Sequence, residues 1–409
     1  MKELLLVGVG VMGQPYLEAA ARLGVPVRAV EAAGPGRDRS GAGPGVPGHV
    51  SFHMVPPGPE ESWLPGIEEA LAQRVPDGIV GFAEPQVIPA ALVQERLGLP
   101  GPSLQAAVIS RNKALQRAVC AARGVPQPQY LLAPDIGTAR DWMLDRLPVV
   151  VKPLTLSGSE GVELVRDPAA VADITTRRAG EGTVLVERAV EGPEYSWEAL
   201  VRDGAVLFEN ITAKETTPPP YFVELSHRCG HAFTEPGLAD RVRALTRGVL
   251  AAIGMRTGLV HLEFRVGPDG PALMEVAVRT PGDYLADAVG LAHGFDLYEA
   301  SVRLSLGLPL EGRARPGGAP RTWTATCFLT APPGRVTAVE GLEQVRKHPG
   351  VVRARLRRGI GDTVGPLTSS AQRVGHVLIS AGTREEREDT MKFVRETLLL
   401  RTATGPENG

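Results

Sequence analysis

The stretch LVHLEFRVGPDGPALMEVAVR, residues 259–279, decides how the rest of the chain is read. Two apolar, β-branched runs flank a Gly-Pro-Asp-Gly turn, which is the pattern of a β-hairpin. Proline has no N–H to give to a ladder, so Pro271 is expected in the loop, taken as residues 267–271. That register pairs Val266 with Ala272 and sets Glu263 directly opposite Glu275. Like charges facing each other destabilise a sheet. A hard divalent cation between them would turn repulsion into a binding site, and Mg²⁺ is commonly held by one or two carboxylates plus substrate phosphates. Two solvated glutamates on an exposed face would leave the same pattern.

Upstream, VVVKPLTLSGSEGVELV (149–165) ends a buried strand on Lys152 and continues into a Gly/Ser loop of Ser157, Gly158, Ser159 and Gly161. Such a loop lets backbone N–H groups close around phosphate oxygens, and an ordinary hairpin turn would look alike. It lacks the spacing of a Walker A loop and does not open into a helix. Of 44 basic residues only six are lysine (2, 113, 152, 214, 347 and 392). A lysine kept in so arginine-rich a chain suits a compact point charge on phosphate. In VLVERAVEGPEYSWEAL (184–200) a strand runs into a connector whose backbone could meet a purine, with Glu194 free to accept from ribose hydroxyls. A plain loop between two sheets reads the same way.

The N-terminal LLLVGVGVMG (4–13) spells GxGxxG between a strand and a helix, and Glu31 ends the next strand. Alone, this is the dinucleotide-binding fingerprint. The pattern alternates strand and helix to about residue 105, which gives a Rossmann-like α/β lobe over 1–105. AVISRNKALQRAVCAARG, read as one helix, opens a second unit over 106–189. A strand-rich unit follows over 190–315, then a strand-rich lobe over 316–401. That lobe is closed by a helix read through REEREDTMKFVRETLLLR, and 402–409 is expected to be a disordered tail.

Composition narrows the function. The formal net charge of −2 over 409 residues offers no global field for nucleic acid or an anionic membrane. The three cysteines stand far apart with no CxxC pair, which suits a reducing compartment. No apolar run approaches the roughly 20 residues that span a bilayer. Glu3 and the glycine turn argue against a signal peptide. A cytoplasmic, soluble protein is expected, with neither nucleic acid nor membrane as partner.

Taken in order, Lys113 in RNKALQR, Lys152 with its Gly/Ser loop, Glu187 to Glu194, and then Glu263 with Glu275 resemble the ATP-grasp superfamily, across nearly the whole chain. That resemblance implies an α/β fold of α+β lobes: a first Rossmann-like domain that binds no dinucleotide, an ATP cleft between two subdomains, and a C-terminal lobe. The glycine turn is then a fold signature and Glu31 an ordinary strand-end acid. The resemblance also implies that Lys113 and Lys152 contact ATP phosphates beneath the 157–161 loop. Glu187, Arg188, Ala189 and Val190 would line the adenine and Glu194 would hold the ribose. Glu263 and Glu275 would bind Mg²⁺, with two ions expected. Many members carry a third ligand, an Asn two residues after the second Glu. Here that position is Ala277.

EVAVR, ending on Arg279, resembles the E-x-x-x-R ending of the L-amino acid ligases. FVELSH within ENITAKETTPPPYFVELSHRCGH (209–231) matches the same group through Glu224 and His227, although the proline that commonly follows the His is missing. The implied activity is ATP-dependent carboxylate–amine ligation through an acyl phosphate. Its substrates would be a small carboxylic acid and an amine, both expected to be amino acids, with natural-product assembly as one setting the resemblance implies. In this reading Arg279, Glu224 and His227 are catalytic. Another ATP-grasp reaction (purine-pathway or carboxylase type) is the alternative, and a non-catalytic nucleotide-binding protein comes behind it. A homodimer is left open.

Overall fold

The computed structural model describes residues 2–34, 50–156, 158–310 and 318–403. Leu4–Val7 is fully buried, as an apolar run covered on both faces requires. It lies in a four-stranded sheet in the order Ser51–Val55, Val27–Ala32, Leu4–Val7, Gly78–Gly81, every pairing parallel. The glycine turn then enters the helix Gly10–Arg22. Gly8 sits at φ +82°, where a Cβ would meet the Gln86 side chain at 2.9 Å.

Glu31 is more than a strand-end acid. It is 7% exposed, and its carboxylate accepts from the Val9 and Gly10 N–H groups at 2.8 and 2.9 Å. The protein's own acid thus occupies the helix N-terminus where a pyrophosphate would bind.

The stretch read as one helix over 107–124 is parts of two. Asn112 ends the first, Leu104–Ser110, and caps the second, Lys113–Ala122, by accepting from Ala114 and Leu115 N–H. Asn competes for backbone partners and favours such caps. The break places Lys113 at the first helical position, where its free N–H bonds the Leu154 carbonyl at 2.9 Å.

A small antiparallel sheet follows, in the order Tyr130–Ala133, Val184–Arg188, Val149–Lys152, Glu163–Val165. Helices Arg140–Leu144 and Pro168–Arg177 share its apolar core.

The largest sheet has eight strands among the described residues. Their order is Gly270–Ala277, Gly258–Gly267, Glu194–Arg202, Ala205–Thr216, Glu224–Cys229, Trp323–Leu329, Gly375–Ala381, Val351–Leu356. The sheet therefore runs through the position near 315 where the sequence suggested a boundary, because Trp323–Leu329 pairs with Glu224–Cys229.

The lobe's closing helix, Arg384–Thr397, starts at a capping box of Thr383 and Glu386 and stops earlier than expected. Leu399–Ala403 leaves it as a strand paired with Gly334–Glu340. Thr402 and Ala403 are thus part of the fold, and 404–409 lie outside the described residues.

The hairpin at 259–279 also differs at its tip. Val266 pairs with Pro271 and Gly267 with Gly270, which shortens the loop to Pro268-Asp269. Val266 sends its N–H the other way, to the Pro193 carbonyl at 3.1 Å, so Pro271 is not asked for a donor. A register shift after Glu263 absorbs the difference and leaves Glu263 opposite Glu275. The strand ends at Ala277, two residues before Arg279.

Candidate active site

One cavity of about 640 Å³ opens between the small sheet, the large sheet and the loop carrying Ser370. Of the predicted residues that are described, Lys113, Lys152, Gly158, Ser159, Glu187, Arg188, Ala189, Val190, Glu194, Glu224, His227, Glu263, Glu275 and Arg279 all line it. Gly161 does not; it sits behind the wall with φ +69°, its carbonyl accepting from Arg178. Ser157 lies outside the described residues.

At one end Glu187 is clamped between two cations. Its carboxylate meets Lys152 Nζ at 2.6 Å and Arg117 Nε at 2.6 Å. Burial alone would raise the Glu187 pKa, but Arg117 and Lys152 win and hold it below the ordinary carboxylate value. Burial pushes the Lys152 ammonium down from its ordinary value, against the pull of Glu187. Lys152 is therefore a charge in want of further anionic partners. Arg117 was not foreseen. It stands four residues after Lys113 on one helix, hence on the same face, and also donates to the Met274 carbonyl at 2.6 Å. Lys113 Nζ donates to the Leu156 carbonyl at 2.6 Å and meets Glu275 at 3.2 Å.

Lys214 is the second unforeseen hub. Its ammonium, on a side chain 2% exposed, lies 2.6 Å from Glu263, 3.0 Å from Glu194 and 3.3 Å from Glu224. Burial would lower its pKa, yet the three carboxylates together raise it well above the ordinary lysine value. The same charge and His261 hold Glu263 well below its ordinary value against burial. His261 bridges Glu198 (3.1 Å) and Glu263 (3.3 Å) and faces Ala277 across the ladder. Burial would lower its pKa too, but the two carboxylates raise it to about 9. The clue to Lys214 was its place among six lysines.

Beyond Lys214 the cavity ends at Glu224, His227 and Asp283, whose ligand atoms all lie within 4.8 Å of one another. Glu224 accepts from Ser370 Oγ at 2.6 Å. Asp283 is gripped by both terminal nitrogens of Arg373. Asp283 and Tyr284 both hold left-handed backbone conformations (φ +59° and +58°), a strain that persists only where surroundings enforce it. Tyr284 is fixed by stacking on His376 at 3.8 Å between ring centroids. His227 is 3% exposed, and neither ring nitrogen has a hydrogen-bond partner among the described residues. Burial, with Lys214 nearby, lowers its pKa to about 3, so the ring is neutral.

Arg279 donates through Nε to Glu84 at 2.6 Å and through Nη1 to the Thr280 carbonyl at 2.7 Å. Glu84 also pairs with Arg111. The acid that aims Arg279 thus comes from the first lobe, 195 residues away.

The donor set fits a nucleotide with Mg²⁺. Two carboxylates face each other across one ladder, and lysine ammonium groups, Lys113 and Lys214, stand against them. The ammonium groups now balance the charge that a divalent cation would balance there, and the buried Lys152 adds a further positive charge to the cavity wall.

Residues 145–287 match the ATP-grasp domain, and residues 327–403 match the L-amino acid ligase C-terminal domain 2. The L-arginine-specific L-amino acid ligase of Bacillus subtilis is 21% identical over 79% of this chain and 80% of its own length. Carnosine synthase 1 of Gallus gallus is 28% identical over 85% of this chain, which spans only 40% of that relative. Among solved structures, the L-amino acid ligase from Bacillus licheniformis superposes with a TM-score of 0.79 at 22% identity, covering 99% of both chains. The biotin carboxylase domain of Hydrogenobacter thermophilus 2-oxoglutarate carboxylase was solved with MgADP. It covers 98% of this chain and 90% of its own length at TM-score 0.70 and 17% identity. The chain carries an ATP-grasp domain. Within that class, its C-terminal domain and its relatives place it beside the L-amino acid ligases.

Proposed function

We propose that this chain is an ATP-dependent carboxylate–amine ligase that joins amino acids and releases ADP and phosphate. The observation that carries the reading is a single cavity with phosphate-type lysines and opposed glutamates at one end and an amine-type acceptor cluster at the other. An ammonium donates three hydrogen bonds in tetrahedral directions, so acceptors around it stand about 4.6 Å apart. Glu224, His227 and Asp283 offer three acceptor atoms within 4.8 Å of one another, close enough to surround one ammonium. With a pKa near 3, His227 is a weak base, and its role is to accept a hydrogen bond; the ammonium's proton would pass to Glu224.

A carboxylate is a poor electrophile because its oxide is a poor leaving group. Attack of a substrate carboxylate oxygen on the γ-phosphorus of ATP breaks the bond to the β-phosphate oxygen and gives an acyl phosphate and ADP. The deprotonated amine then attacks the acyl carbon, the amide forms, and phosphate departs. Lys113, Lys152 and the Gly158–Gly161 amides would offset charge on the transferring group. Glu187 to Val190 would border the adenine and Glu194 the ribose. Glu263 and Glu275 would hold Mg²⁺, two ions being the family expectation, and the metal would neutralise phosphate charge. With Ala277 in place of the Asn, coordination rests on the two carboxylates, phosphate and water. Arg279, oriented by Glu84, would bind the substrate carboxylate and then the tetrahedral oxyanion.

The test is direct: the purified chain with ATP, Mg²⁺ and amino acid mixtures, with ADP and phosphate quantified and products read by mass spectrometry. Amide product equal to ADP released is the expected outcome. ADP release indifferent to amino acids, or a carboxylated product from bicarbonate, would overturn the reading. The cytoplasm is the proposed location.

A further inference from the structure

Ser370, at the start of the short 3₁₀ turn Ser370–Gln372, touches both ends of the cavity at once. Its backbone N–H donates to the Gly158 carbonyl at 3.1 Å, and its hydroxyl donates to Glu224 at 2.6 Å. Its own carbonyl accepts from Arg373 Nε at 3.0 Å, and Arg373 in turn grips Asp283. Gly158 approaches so closely that a Cβ there would stand 3.5 Å from that of Ser370. Elsewhere the glycine loop is tied from Ser159 Oγ to the Phe222 carbonyl at 3.2 Å and, at Gly161, by Arg178 Nη1 at 3.1 Å. Ser370 is 8% exposed, so these bonds are not traded freely with water.

We propose that Ser370 is a positioning residue that couples the two substrates: its N–H holds the glycine loop over the phosphates, and its hydroxyl sets Glu224 for the amine. This rests on the ligase reading of the cavity. The coupling is physical because one rigid turn supplies both donors. When Glu224 is drawn to an ammonium, the turn and the loop fixed to it are drawn to the same position. When the loop is displaced, the hydroxyl leaves Glu224, and one oxygen of the acceptor triad loses its orientation.

Two substitutions separate the donors. Ser370→Ala removes the hydroxyl and keeps the N–H. Ser370→Pro removes both, and the preceding backbone suits proline: Ser369 is extended (φ −154°, ψ 167°), as a residue before proline prefers, and proline is common at the first position of a helical turn. Loop release is read by a Glu-specific protease at Glu160, which is exposed in the loop. Mass spectrometry identifies that cut without any turnover. In Ser370→Ala we expect cleavage at Glu160 within twofold of wild type, KM for the amine substrate raised roughly tenfold, and KM for ATP unchanged. In Ser370→Pro we expect cleavage at least tenfold faster and both KM values raised. Equal cleavage in the proline variant and wild type, or both KM values rising together in the alanine variant, would overturn the coupling. Absence of amide synthesis in wild type would strike the ligase reading alone, because the protease arm needs no catalysis.

Discussion

Replacing Lys214 by methionine keeps the length of the side chain and deletes the charge shared by one buried and two half-buried carboxylates. At an effective dielectric near 20, pairs at 2.6, 3.0 and 3.3 Å each attract by roughly 5–6 kcal/mol. Desolvating the ammonium offsets several kcal/mol of that sum. Removing Lys214 takes away the counter-charge the three share and leaves Glu263 to His261, Glu194 to Arg265 and Glu224 to Ser370; the net loss is about 3–5 kcal/mol. For 409 residues unfolding together, that lowers the thermal midpoint by roughly 3–6 °C. The loss also has a pH signature. In wild type Lys214 helps hold Glu263 well below its ordinary value, so that stability is present above about pH 4.5 and lost as pH falls through the folded value. The variant's deficit relative to wild type is therefore full at pH 8 and shrinks as pH is lowered toward 3. Scanning calorimetry of both proteins across that range, without nucleotide, measures it. A deficit under about 1 kcal/mol, or one that does not change with pH, would refute the reasoning.

Further outcomes follow from the same geometry. Burial and neighbouring positive charge hold His227 near 3 and His376 near 4, below their unfolded value. Their contribution is therefore present above pH 6.5 and lost as pH falls, at about 1.4 kcal/mol per pH unit for each; a thermal midpoint flat from pH 6.5 to 5 would contradict this. Because Glu31 fills the glycine turn, ATP with Mg²⁺ raises the midpoint while NAD(H) and NADP(H) do not, and a shift with a dinucleotide alone would reverse that reading. Arg279→Lys keeps the charge and loses the planar fork, so amino-acid-dependent ADP release falls by about 10²–10³ while ATP affinity measured by calorimetry changes little. Loss of ATP binding instead would make Arg279 a nucleotide residue.

Much of the site is written in local sequence. Lys152 and its loop, the connector from Glu187 to Glu194, and the opposed Glu263 and Glu275 are each short stretches, and each lines the cavity. Arg117 could have been found from its spacing after Lys113, and Lys214 from its survival as lysine. Glu84, Asp283, Ser370 and Arg373 carry no such mark. They are an acid, an acid, a serine and an arginine in ordinary contexts, and their partners lie as far as 195 residues away.

The sequence by itself determined the periodicities, and with them the strands, the hairpin and the parallel first lobe, because those depend on neighbours within a few residues. It also determined which charged side chains stand beside glycine loops and in strands. Only the tertiary structure decided where each charge ends. Glu31 turned inward to cap its own helix, the strands after residue 320 joined the large sheet, and Lys214 was buried among three glutamates. Coulomb energy and desolvation depend on distance through space and on what covers a group. A one-dimensional pattern carries neither.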